Sequence, residues 1–187
     1  MVSEQHAQSK DGYFSNQQVM QSDLPALEQL ELEPVSAKYR TMNLSFVTLL
    51  TLIIIGGISA LRFNPFFALP EDLAYAYPFV IGVLFLLGAM WFSYHFFADT
   101  KIKYAVREQD ICKQAGLIFR SLSCQPILRV QHVEVKRGPL DRWVGLAKLQ
   151  VFSAGGEMHT FEIPGLPLES AEHLRQFILD HKDVSAR

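Results

Sequence analysis

The sequence predicts a two-helix transmembrane hairpin followed by a small α+β domain of short antiparallel strands and one terminal helix. Three observations predict it. Two twenty-residue runs, Met42–Leu61 and Pro78–Phe97, contain no Asp, Glu, Lys or Arg. After Lys101 the chain changes to short segments of period two, punctuated by Gly and Pro. Near its end Ala171, Leu174, Phe177 and Ile178 recur at helical spacing. The expected division is a partly disordered cytoplasmic tail over 1–41, the hairpin over 42–97 and a cytoplasmic domain over 98–187.

Composition narrows the function classes. Of 187 residues, 49% are apolar and 19% charged, too much burial-seeking surface for a disordered chain. A net charge of −2 excludes the basic profile of a nucleic-acid binder, so no nucleic-acid partner is expected. Two cysteines exclude a disulfide-stapled scaffold. Charge is distributed unevenly: −3 over 1–41, −2 over 42–100 and +3 over 101–187. A mildly basic domain beside an apolar block is suited to an anionic membrane surface.

Each apolar run is long enough to cross a bilayer, because twenty helical residues rise about 30 Å. Helices are expected over about 42–61 and 78–97, with Pro78 in a first turn, where its missing N–H costs nothing. The first run exceeds a signal-peptide core in length and is expected to remain in the membrane. Lys38, Arg40, Lys101, Lys103, Arg107 and Lys113 flank the outer ends, against Arg62 alone in the connection. The positive-inside rule then makes this a multi-pass protein of the cytoplasmic membrane with both termini inside. Phe63, Phe66, Phe67, Tyr75 and Tyr77 would form the outer aromatic belt, and Trp91, Tyr94 and Phe96 would approach the inner interface. Gly56 with Ala60, and Gly82 with Ala89, offer small faces expected to pack the hairpin on itself. His95 is expected to be an interfacial residue, since its run holds no second ionisable group.

Residues 1–21 are rich in Gln and Ser and read as a mobile tail. Leu24, Leu27, Leu30 and Leu32 could form a short amphipathic turn after Asp23. In the domain, Ile102, Tyr104 and Val106 alternate with polar neighbours, and Ile111–Gln114, Leu117–Ser123 and Arg129–Arg137 read as further strands. Asp141–Val144 is a helical turn, and Ala154-Gly155-Gly156 joins two strands as a hairpin. Pro167 opens the terminal helix.

Several motifs carry a resemblance across this region. They are Gly116-Leu117-Ile118, Pro126-Ile127-x-Arg129-Val130-Gln131 and Gly138-Pro139-Leu140-Asp141-Arg142-Trp143-Val144-Gly145-Leu146, then Ser153-Ala154-Gly155-Gly156 and Ile163-Pro164-Gly165-Leu166. In this order behind a two-helix hairpin, they resemble the bacterial PH-like membrane-flanked domain family, also called bPH2 or YdbS-like. The resemblance covers about 140 residues and implies a PH-like fold, a bent antiparallel sheet or partly open barrel closed by the last helix. It also implies a non-enzymatic membrane protein, and as partner a larger membrane protein with repeated copies of the domain. Phosphoinositide-binding PH domains carry a basic cluster in the first hairpin. Here that turn reads Arg107-Glu108-Gln109-Asp110, so no such pocket is expected.

No catalytic, cofactor-binding or metal residue emerges. There is no nucleophile elbow and no phosphate-cradling loop. Cys112 and Cys124 are too far apart for a metal-binding pair and are expected to be free thiols in a reducing compartment. The candidate lipid or partner contacts are Lys101, Lys103, Arg107, Arg137, Arg142 and Trp143. The main expectation for Trp143 is structural, as a core plug beside an Arg142 paired to Asp141 or Glu134. Two functions follow: a docking or scaffold module in a membrane assembly, or a sensor of anionic lipid at the inner face.

Overall fold

A computed structural model of the chain describes residues 31–65, 70–153 and 160–185. The expected tail with Leu24, Leu27 and Leu30, the Ala154-Gly155-Gly156 turn, and Phe66 and Phe67 lie outside the described residues. Chain order is β1 (Glu33–Pro34), α1 (Ala37–Arg62), α2 (Glu71–Ala98), β2 (Lys103–Val106), β3 (Asp110–Ala115), β4 (Ser121–Pro126), β5 (Val130–Lys136), α3 (Pro139–Val144), β6 (Leu146–Ser153), β7 (Thr160–Pro167) and α4 (Leu168–Ser185).

Both apolar helices outrun their expected limits. Ser36 starts α1 five residues early, its Oγ accepting the Lys38 N–H at 3.4 Å. α2 starts at Glu71 and carries Pro78 in its interior, not in its first turn. The added turn is held from across the hairpin, where Tyr77 and Ser59 hydroxyls meet at 2.9 Å and Phe63 lies edge-on to Tyr77. Tyr77 therefore serves the helix pair, while Tyr75 remains exposed as a belt residue would.

The helix seam follows a four-residue spacing. Val47 is buried, and Thr51, Ile55 and Ser59 are half-buried on the same face. Gly88 lets the backbone of α2 approach Thr51, whose Cγ2 lies 2.6 Å from where a Cβ would sit. Gly56, Gly57 and Gly82 have only open space around that position. The small faces that the sequence assigns to internal packing are thus turned away from it.

The domain has two antiparallel sheets, ordered β1-β2-β3-β4 and β5-β6-β7, which do not close into a barrel. Their inner faces and α4 share one core, with Ile111, Ile127, Val133, Leu149, Val151, Ile163, Leu166 and Ile178 all essentially water-free. Burying a side chain of this size contributes about 1.5–3 kcal/mol each before entropy is counted. α4 contributes Ala171 and Ile178, two turns apart on one face, with Leu174 and Phe177 packed beside them.

The cysteines are not free thiols. Cys112 and Cys124 are register partners on β3 and β4, with Cα atoms 4.0 Å apart, and form a disulfide. The reason is the turn between the strands. Gly116 takes φ +107°, where a Cβ would collide with the Phe119 carbonyl oxygen, and this tight 116–120 loop brings residues twelve apart face to face.

Candidate functional site

Strand register decides which loops share the hairpin end of the domain. α2 runs through a 3-10 turn, Asp99–Lys101, directly into β2. Lys103 pairs with Gln114 and Ala115 with Ser121, so the β3–β4 turn lies at the end of the sheet where α2 arrives. In the second sheet Leu146 pairs with Pro167, and the Ser36 N–H donates to the Gly165 carbonyl at 3.0 Å. The start of β6, with α3 just before it, therefore lies where α1 departs. Both loops flank the exit from the hairpin.

These loops carry uncovered apolar side chains. In the β3–β4 turn Ile118 is 82% and Phe119 89% exposed. On α3, Leu140 is exposed and Trp143 is 92% exposed. Trp143 is not a core plug, and the cause is local. The Gly138 N–H donates to Asp141 Oδ2 at 2.9 Å, and Asp141 is buried. With Asp141 turned inward, a residue two positions later points about 200° away, toward the outside. The Leu168 N–H donates to the Gly145 carbonyl at 3.2 Å and anchors the other end of the turn.

Arg142 does not pair with Asp141 or Glu134 either. Asp141 caps its own helix, and Glu134 is bound by Lys136 at 3.1 Å and His132 at 3.0 Å, which hold its carboxyl below the usual range. The other candidate cations divide. Arg107 makes a bidentate pair with Asp110, both contacts 2.6 Å, which raises its already high pKa. Arg137 donates from Nε to the Leu146 carbonyl at 3.1 Å and so fixes the start of β6. Lys101 is exposed and Lys103 half-buried at the α2 end. The six residues do not gather into one pocket: Arg107 and Arg137 serve the strands, and Arg142 with Trp143 stands on the exposed side of α3.

A buried polar cluster at the domain end of the hairpin was not legible as a unit. Asp99 is buried and accepts from Asn43 Nδ2 at 2.8 Å, and His95 Nδ1 lies 3.2 Å from both of its oxygens. His95 is therefore partnered by an ionisable group four residues on, just beyond the apolar run. The i,i+4 spacing was the available signal. The Arg40 guanidinium lies 4.0 Å over the Phe96 ring beside it. For metal, Asp110, Cys112 and Cys124 have ligand atoms within 4.8 Å of one another, but the sulfurs are bonded to each other and Asp110 to Arg107. A disulfide sulfur is not the thiolate a metal needs.

A family model described as bacterial PH domain matches residues 39–182, which takes in both long helices and the sheets through α4. The chain belongs to the bacterial PH domain family. It is also 33% identical over 104 residues to the UPF0699 transmembrane protein YdbS of Bacillus subtilis (strain 168), a match covering 53% of this chain and 62% of that protein. No solved structure matches. The relative is a transmembrane protein, and α1 and α2 are each long and apolar enough to cross a membrane, so this bacterial PH domain protein is membrane-located.

Proposed function

We propose that the chain is a non-enzymatic docking module of a membrane assembly, with both termini cytoplasmic and with a second membrane protein of the same domain family as partner. The observation that carries this reading is the open space around Gly56, Gly57 and Gly82. Lipid tails are as apolar as leucine, so helices in a bilayer associate through close backbone approach at small residues. This hairpin uses Gly88 internally and leaves the other three for a neighbouring helix. The cytoplasmic assignment rests on the six Lys and Arg flanking the outer helix ends against Arg62 in the connection.

The test follows from the same geometry. A Cβ at Gly57 or Gly82 has nothing within 4 Å, so Gly57→Leu and Gly82→Leu are expected to leave the hairpin's own packing intact. The full-length protein is excised with its native membrane by an amphipathic polymer and sized by native electrophoresis. The wild type is expected in a complex larger than one 21.2 kDa chain, with the variants released from it. A wild type running as a lone chain would falsify the reading. A second reading, sensing of anionic lipid, is favoured by the exposed Trp143 beside α1.

A further inference from the structure

An open-sided groove of about 630 Å³ runs between the first half of α1 and the short helix α3. Its volume lies within the range of small-molecule sites. On α1 it is lined by Lys38, Thr41, Ser45 and Phe46, and on α3 by Leu140 and Trp143. The lining changes character along α1. Lys38 and Thr41 stand at the start of the helix, and Ser45 and Phe46 follow about one turn beyond Thr41. Leu49 closes the groove about 16 Å from Lys38 along the helix axis. Phe46 and Leu49 belong to a helix long and apolar enough to cross a bilayer, so that end of the groove suits hydrocarbon. The other end stands at the start of α1, where the exposed Lys38 lines the groove and, among the described residues, forms no ion pair.

We propose that this groove holds one anionic phospholipid of the surrounding leaflet, its acyl chain along Phe46 and Leu140 under the Trp143 indole, its phosphate at Lys38. One occupant satisfies both ends: an amphiphile apolar along one half and negatively charged at the other. Trp143 suits the boundary, since indole is a large apolar plate with one N–H to give to a headgroup oxygen. Asp141, held inward by the Gly138 N–H, keeps α3 from rotating, so the site is preformed. This site is separate from the glycine faces of the docking reading, and either stands if the other fails.

Trp91 is the only other tryptophan, so Trp91→Phe leaves Trp143 as the sole reporter. The full chain in that background is reconstituted into nanodiscs of phosphatidylcholine with 20 mol % phosphatidylglycerol, about one lipid in five. One or the other lipid carries brominated acyl chains, which quench indole on contact. The expected result is that brominated phosphatidylglycerol quenches Trp143 about threefold more per mole than brominated phosphatidylcholine. Lys38→Glu should remove the preference while leaving the thermal unfolding midpoint within a few degrees of the parent. Equal quenching by both lipids, unchanged by the charge reversal, would overturn the proposal and leave only unspecific insertion. A Trp143 quenched by neither lipid would also overturn it. So would a Trp143 quenched in nanodiscs but shielded from added brominated lipid in polymer-excised native membrane, which would make the occupant a protein.

Discussion

Tyr39 lies across Gly165: a Cβ at Gly165 would sit 2.6 Å from Tyr39 Cγ. Gly165 also has φ +69°, and its carbonyl accepts the Ser36 N–H at 3.0 Å. One glycine of β7 thus receives both the cap residue and the first-turn aromatic of α1. The membrane helix and the sheet are joined through this contact.

Gly165→Ala should break that joint. The left-handed backbone costs an L-residue about 1–2 kcal/mol, and the clash with the Tyr39 ring adds to it. The expected outcome is a drop in the thermal midpoint of the full chain in nanodiscs and faster proteolysis near 35–38. Tyr39→Ala in the same background relieves the clash but not the backbone strain, so it should restore only part of the loss. Full restoration would place the whole effect in the steric contact.

Asp99 is the acceptor shared by Asn43 and His95 at the domain end of the hairpin. Asp99→Ala removes the acceptor of a half-buried amide, a cost of about 1 kcal/mol. Asp99→Asn keeps an acceptor oxygen for Asn43 and should cost less. Unfolding of the two variants in parallel denaturant titrations checks the ordering, and equal losses would remove the hydrogen bond as the cause.

The Cys112–Cys124 bridge closes a loop of twelve residues' separation, worth about 3 kcal/mol on the chain-entropy account. Reduction should lower the domain's thermal midpoint by several degrees, and Cys112→Ala with Cys124→Ala should reproduce the reduced value. Mass spectrometry after alkylation in intact cells reads which state the protein holds there. The proposed cytoplasmic placement predicts a substantial reduced fraction, because that compartment keeps thiols reduced.

Lys113 reaches across the sheets, its Nζ donating to the Glu162 carbonyl at 2.7 Å and standing 5.6 Å from the Phe161 ring. Burial pushes its pKa below the ordinary 10.5, opposed by the negative charge of Glu162. A folded-state pKa below the unfolded value means that the unfolded chain binds more protons between the two. Stability then rises with pH through that window and the charged ammonium is a cost below it. Lys113→Met should accordingly be neutral or stabilising at pH 7, with the difference from wild type shrinking as pH approaches 10. A variant destabilised equally at both pH values would show that the hydrogen bond outweighs the buried charge.

Periodicity and composition determined the two apolar helices, the strand-rich domain and the terminal helix, because each is set by a repeat of 2 or 3.6 residues readable over a short window. The family resemblance came separately, from motif residues that stand in a fixed order along the chain. Helix ends were less legible. Pro78 was read as a start because proline favours a first turn, whereas contacts from Ser59 and Phe63 carry α2 seven residues further back.

The site depended on relations between distant residues, which no local pattern encodes. Whether Trp143 faces the core or the outside turns on the rotation of a six-residue helix, and one buried carboxylate, Asp141, sets that rotation. Whether two cysteines meet turns on strand register, and which glycines face outward turns on where Val47 and Thr51 place the seam. The hydrophobic pattern says that surfaces are to be buried, since burial scales with apolar area and is non-directional. Hydrogen bonds and steric fit are directional, and they chose which surfaces the tertiary structure covered and which it left for lipid or a partner.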